Sequence, residues 1–402
     1  MEQTREALTA LTDIYGSPLY VFDKREFIEN YKKLEQAMKT NYDNYRIAYS
    51  FKTNYTPYIC QTAKELGAYA EVVSGMEYNL ARKIGYREDE IIFNGPCKSI
   101  AGTEAMLNGC LVNADSLDEV LLLTEIAKEN PKQNFRIGLR FNLDVGQGFV
   151  SRFGMDEQDL AEAFRMVRGT NLHIAGLHCH ISRARGLDAW EKRTRKALEV
   201  ADHFFPDVPE YIDLGSGMFG SMEPEFAAQF TNIPTYEEYS KVTAKLAAEH
   251  YKGQKSPILF TEPGTTLINR FIDCIARVEA IKRVNGHGFA ILDCSIHNLG
   301  ETCILKQIPV KVIPGGGKQV FYESIDLTGY TCLEQDVMRT AFRGKLAKGD
   351  FVIFGNVGGY SNVLKPPFIR PNCAMAAEKP EGGFTLIKAA ETEEDLLHTY
   401  QF

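Results

Sequence analysis

The sequence has no run of apolar residues long enough to cross a bilayer, and no C-x-x-C pair among its nine cysteines. The first absence excludes a membrane-spanning helix. The second removes the spacing on which zinc sites are usually built, so no metal is expected. A positive excess is also missing: 45 lysines and arginines face 53 acidic residues, a net charge of −8. Nucleic acid and anionic membrane are therefore not the main partners. Met1 to Thr12 carries charges and lacks the apolar stretch of a signal peptide. An odd cysteine count without an export signal points to reduced thiols and a cytoplasmic protein. No internal repeat and no low-complexity linker interrupts the chain.

What is present is ordinary in bulk: 44% hydrophobic and 24% charged residues over 402 positions. That length exceeds what one core usually holds, so two domains are expected, 25–268 and 269–402, the latter with a strand from 1–24. Leu19–Asp23 reads as a short strand, and Phe27, Tyr31, Leu34 and Met38 as one face of a helix. Strand-like apolar runs follow at Tyr45–Lys52, Ala68–Ser74, Glu90–Gly95, Cys110–Ser116, Arg136–Asn142, Ile174–His180, Glu210–Gly215 and Ile258–Gly264. Helical segments separate most of them, including Leu187–Phe205 and helices opened by capping boxes at Ser116–Glu119 and Thr235–Glu238. Apolar strands alternating with helices imply a parallel sheet. Eight such units predict a (β/α)8 TIM-type barrel, with a doubly wound open sheet as the alternative. After Leu267 strands and turns dominate, predicting a mostly antiparallel β domain and a short closing helix, Thr392–Tyr400. Pro314–Lys318 lacks the P-loop pattern and reads as a hairpin loop.

The ends of the predicted barrel strands carry unusual chemistry: Lys52, Ser74-Gly75, Asn94-Gly95 with Lys98, Asp115-Ser116, Arg140-Phe141-Asn142, His180, Gly215-Ser216-Gly217 and Glu262-Pro263-Gly264. A lysine at the end of an apolar strand either snorkels to solvent or serves as a desolvated nucleophile toward an aldehyde. Glycines let backbone N–H groups approach a phosphate. A histidine can stack on a ring, and a glutamate can pair with a protonated ring nitrogen. Together these suit pyridoxal 5'-phosphate, an electron sink. Singly each is modest. His180 could be a core histidine, sharing a strand face with His178, and Glu262 could cap a turn. Gly215–Gly220 also fits G-x-G-x-x-G, but it follows the seventh predicted strand rather than the first, which weakens a dinucleotide reading.

In order along the chain, these segments resemble the alanine-racemase-fold pyridoxal-phosphate decarboxylases, the group of diaminopimelate, ornithine/arginine and carboxynorspermidine decarboxylases. Ser17–Asp23, Tyr49-Ser50-Phe51-Lys52, Val73–Glu77, Ser151-Arg152-Phe153-Gly154, Gly176–His180, Leu214–Met218, Glu262-Pro263-Gly264 and Gly358-Gly359-Tyr360 carry the likeness, which runs from Pro18 to Phe368. It implies Schiff-base attachment at Lys52, His180 on the cofactor ring and Glu262 at the pyridine nitrogen, in the turn with Pro263 and Gly264. Ser216, Gly217, Thr265 and Tyr360 are implied at the phosphate. Cys332, four residues before Asp336, resembles a catalytic cysteine supplied across a dimer interface, so a homodimer with shared sites is implied. Arg140, Arg183, His297, Glu301, Glu334 and Asp336 are candidate substrate contacts. The departures bear on substrate. Thr265 replaces a common arginine, Ser182-Arg183 replaces Gly-Ser, and Asp293–Glu301 lacks the arginine and tyrosine with which diaminopimelate decarboxylases grip the far end of their substrate. Expected, then, is a decarboxylase of a diaminopimelate-like, carboxynorspermidine-like or specialised amino acid. A racemase of the same fold and a non-catalytic binding relic are the alternatives. Glu262, where racemases place arginine, opposes the first; retention of Lys52, Glu262 and Cys332 opposes the second.

Overall fold

The computed structural model describes residues 4–146, 148–379 and 382–401. The start of the N-terminal stretch weighed above, Met1 to Gln3, lies outside them. Two compact units divide the chain. One holds Asn30–Phe219 and Asn232–Thr266; the other takes the residues up to Glu29, Gly220–Thr231 and those from Leu267 onward.

The strand β1 (Leu19–Phe22) precedes the first unit and belongs to the second. The first unit contains β2 (Tyr45–Ser50), β3 (Tyr69–Val72), β4 (Ile91–Phe93), β5 (Leu111–Ala114), β6 (Phe135–Arg140), β7 (Leu172–His178), β8 (Tyr211–Asp213) and β9 (Ile258–Thr261). They form a closed parallel barrel in sequence order, shut by β9 against β2 at Tyr45↔Leu259. Closure excludes the open-sheet alternative. Ala48, Ile92, Leu111, Ala175, Tyr211 and Phe260 pack as one apolar cluster. Each large member stabilises the fold by about 1.5–3 kcal/mol on burial. Glu71, Asn94, Asn113, His178, Asp213 and Glu262 are just as deeply buried, none more than 3% exposed, so polar groups here must satisfy one another. Asn113 does so for two neighbours, donating to Asn94 Oδ1 at 2.8 Å and accepting from the Tyr211 hydroxyl at 2.6 Å.

Thr235 and Glu238 form the expected capping box. Ser116 caps its helix too, but Glu119 reaches back to the Asp115 N–H at 2.8 Å, one residue beyond the box position.

The second unit adds β10 (Ile272–Val284), β11 (His287–Leu292), β12 (Val310–Ile313), β13 (Val320–Thr328), β14 (Val337–Leu346), β15 (Phe351–Phe354), β16 (Ala374–Glu378) and β17 (Phe384–Lys388). With β1 they make a nine-stranded sheet, mostly antiparallel, with β1/β16 and β11/β13 parallel. Leu8, Leu11, Leu19, Val21, Ile275, Phe351 and Ile353 form its apolar cluster. The hairpin expected at Pro314–Lys318 is corrected. β12 pairs with β15, and β13 with β11 and β14. The segment instead lies along the turn before β15, where Gly315 N–H donates to Asp350 Oδ1 at 2.8 Å.

Candidate active site

β2 ends at Ser50, and one 3-10 turn, Phe51–Thr53, carries the chain over the barrel rim. The β2/β3 register sets Ser50 beside Glu71. Ser50 Oγ donates to Glu71 Oε2 at 2.6 Å; Lys52 Nζ donates to Ser50 Oγ at 2.9 Å and pairs directly with Glu71. The lysine, 29% exposed, thus has a fully buried counter-ion that offsets its desolvation.

Glu262 follows β9. Its Oε1 accepts from Asn94 Nδ2, and its Oε2 lies 3.3 Å from His178 Nε2 and 3.6 Å from His180 Nδ1. Burial would raise this carboxyl, but His178, which donates to it, and the positive charge of Lys52 hold it well below the usual carboxylate range. Asp213, at the end of β8, goes the other way. Burial, and then the Glu262 charge, push it well above. Two carboxylates in one dry site do not both ionise, so Asp213 keeps the proton. Burial also lowers both imidazoles, His180 to about 3. His178, neutral, must donate from Nε2, because a carboxylate only accepts; its Nδ1 is buried with no partner among the described residues. His180 Nδ1 accepts from Ser216 N–H at 3.3 Å, leaving the ring neutral for stacking. The ligand atoms of His178, His180 and Glu262 fall within 4.8 Å of one another, a spacing these hydrogen bonds already use.

After β8 the chain turns sharply through Gly215 (φ +63°) and Gly217 (φ +104°). A Cβ on Gly217 would sit 2.3 Å from Ile181 O, so only glycine fits. The short helix Thr265–Ile268 starts just after Pro263-Gly264, and Gly264 backs so closely on Thr53 that a Cβ would lie 2.0 Å from its Oγ1. No helix begins within Gly215–Gly220; the next is Pro224–Ala227. A dinucleotide fingerprint needs a helix N-terminus there, which removes that alternative.

Beside His180 opens a cavity of about 620 Å³, lined by Phe141, Phe153, Ile181, Ser182 and Arg183 among others. Arg183 is exposed at this cavity. Arg140 is buried, paired with Asp115 at 3.0 Å and stacked over Phe153 at 4.7 Å. Lys98 is buried on Glu119 at 2.7 Å.

The remaining candidates belong to the second unit. Cys332, Glu334 and Glu301 are exposed. His297 is half-buried, edge-on to Phe368 at 6.4 Å, and Tyr360 is half-buried with φ +57°. The segment Asp293–Glu301 runs into a helix, Ile296–Leu305, that the sequence reading missed. Asp336, expected as a substrate contact, is tied into its own loop. It is 3% exposed; Oδ1 accepts from Ile296 N–H at 2.8 Å and Oδ2 from the Thr331 hydroxyl at 2.6 Å. Asn94 stands among the strand-end residues expected to be unusual, whereas Glu71 and Asp213 were missed as site residues. Their one signal was a polar residue inside an apolar strand.

Residues 26–269 match the family profile described as the pyridoxal-binding domain of pyridoxal-dependent decarboxylases. A diaminopimelate decarboxylase of Methanothermobacter thermautotrophicus is 27% identical over 96% of this chain and 92% of its own. The L-glutamyl-[BtrI acyl-carrier protein] decarboxylase of Niallia circulans is 24% identical over 99% and 97%. The crystal structure of Methanocaldococcus jannaschii diaminopimelate decarboxylase in complex with L-lysine superposes with a TM-score of 0.87, covering 98% of this chain and 94% of that one at 22% identity.

Proposed function

The chain belongs to the pyridoxal-dependent decarboxylases, whose pyridoxal-binding domain its residues 26–269 match, and from that premise we propose how its own residues divide the work. The protein is a pyridoxal-phosphate-dependent amino-acid decarboxylase. Its residues fit that cofactor on three observations: a lysine held at a barrel rim, a glycine turn whose backbone a Cβ would block, and a buried glutamate kept ionised. When bound, the cofactor supplies a sink for the electron pair left on the substrate as carbon dioxide departs.

Lys52 is the residue that takes the cofactor aldehyde, with Ser50 and Glu71 fixing its Nζ. Neutral His180 packs on the ring. Glu262 would hold a proton on the ring nitrogen and stabilise charge as it develops; its complete burial at the end of β9, hydrogen-bonded to Asn94 and His178, is the observation that carries the reading. Ser216, Gly217 and Thr265 would hold the phosphate, and Pro263-Gly264 shape the turn; Tyr360 remains a candidate by resemblance alone. Cys332 of the partner subunit returns a proton to the substrate carbon, which makes the enzyme an obligate two-fold dimer. A cytoplasmic location fits the free cysteines. The substrate is a diaminopimelate-like, carboxynorspermidine-like or specialised amino acid; the absence from Asp293–Glu301 of the arginine and tyrosine expected by resemblance weighs against diaminopimelate itself. Arg183, exposed at the cavity, is the leading contact for its far end.

The test is the visible spectrum of the purified protein beside Lys52→Ala, followed by a panel of amino acids scored for carbon dioxide release. A yellow band, bleached by borohydride and absent from the variant, is expected. A protein that stays colourless with added pyridoxal phosphate would sink the assignment of Lys52.

A further inference from the structure

One helix, Leu187–Phe204, grips the two loops that follow β7 and β8. Arg193 Nη1 donates to Leu214 O at 2.6 Å and Ser216 O at 2.8 Å, and Nη2 to Ile181 O at 3.2 Å. Trp190 Nε1 donates to Gly217 O at 3.3 Å, and the guanidinium lies over the indole at 4.0 Å. Both side chains are completely buried. In a trans peptide, C=O and the next N–H point opposite ways. Carbonyls 216 and 217 therefore turn toward the helix, and the N–H groups of Gly217 and Met218 turn away from it. Neither N–H donates to any group among the described residues. Arg193 forms no ion pair among them either; burial lowers its guanidinium to about 10, and Nε lacks a partner. A buried cation without a carboxylate is costly unless an anion completes the site.

We infer that Trp190 and Arg193 are the positioning residues of an anion cradle. They pull four carbonyls back, aim the Gly217 and Met218 N–H groups forward, and stand a permanent positive charge behind them. The inference rests on the assignment of the cofactor phosphate to this turn.

The experiment is a titration of apoprotein with pyridoxal phosphate and, separately, with pyridoxal, which lacks the phosphate. Arg193→Lys keeps the charge but cannot span three carbonyls. Arg193→Met removes both. Each should weaken pyridoxal phosphate roughly tenfold or more, while pyridoxal changes by less than about twofold. Inorganic phosphate, which should compete in wild type, should compete less well in both. Equal losses for the two ligands, or no loss, would overturn the inference. If the Arg193 variants fail to fold, Trp190→Phe decides: it keeps the ring and removes one donor, and an unchanged preference for the phosphorylated ligand counts against the cradle. Wild-type protein that binds neither ligand would overturn the cofactor assignment itself.

Discussion

The neighbouring carboxyls Asp213 and Glu262 are pushed in opposite directions, Asp213 up by burial and the Glu262 charge, Glu262 down by His178 and Lys52, and an ionised Glu262 is what its proposed role at a protonated ring nitrogen requires. Glu262→Gln keeps the shape and deletes the charge. At saturating cofactor it should cost roughly 10²- to 10³-fold in kcat, the scale of one preorganised electrostatic contact. Carbon dioxide release at saturating substrate measures this, and a kcat within tenfold of wild type would refute the role. Asp213→Asn should be far milder, because a protonated carboxyl and an amide are both neutral. Lys52, His180 and Glu262 were legible in the sequence because each stands where an apolar run stops. Glu71 and Asp213 were not, because each sits inside a run (Tyr-Ala-Glu-Val, Tyr-Ile-Asp-Leu) and was absorbed into the strand. Arg193 and Trp190 looked like any helical residues, since the groups they hold are backbone and leave no mark in a side-chain pattern.

At the scale of elements, the helix Gly75–Ile84 offers a measurable pH response. Its Ser74 cap accepts from Glu77 N–H at 3.2 Å, and Glu77 Oε2 accepts from Val73 N–H at 2.7 Å. Burial raises the Glu77 carboxyl from 4.5 to about 7. The folded state therefore binds more protons than the unfolded one between those values, and stability falls as pH rises through that window. The loss is roughly 3 kcal/mol at most, for a shift of that size. Glu77→Gln should flatten that part of the profile, read as chemical denaturation midpoints at pH 5 and 8; an unchanged slope would count against it. Gly217→Ala should strain the turn by about 1–3 kcal/mol and weaken cofactor retention, read by gel filtration of loaded protein. The barrel strands were readable because they are continuous and apolar. β14 leaves no apolar run to read, because its Met-Arg-Thr-Ala-Phe-Arg-Gly-Lys stretch is charged and half-exposed, and β16 reads as a helix former in Ala-Met-Ala-Ala-Glu. In both, pairing with neighbouring strands overrides local preference.

For the whole molecule, the proposed shared site makes a quantitative claim. Lys52→Ala and Cys332→Ala should each be nearly inactive, the second by roughly 10²- to 10⁴-fold as a lost general acid. If each site draws Lys52 from one subunit and Cys332 from the other, mixing the two and allowing subunits to exchange should restore about a quarter of wild-type activity, one intact site in each mixed dimer. No restoration would place both residues in one subunit or deny Cys332 its part.

The pairing of β1 has a consequence for how the protein is made. Leu19–Phe22, all buried, lies between Ile272–Ile275 on one side and Ala374–Ala377 on the other. A ribosome delivers β1 before the whole barrel, and both of its partners only after it. Throughout that interval the nascent chain trails an apolar strand with both edges bare, the kind of segment that recruits unwanted strands. A chain terminated before Ala374 would carry the bare edge permanently.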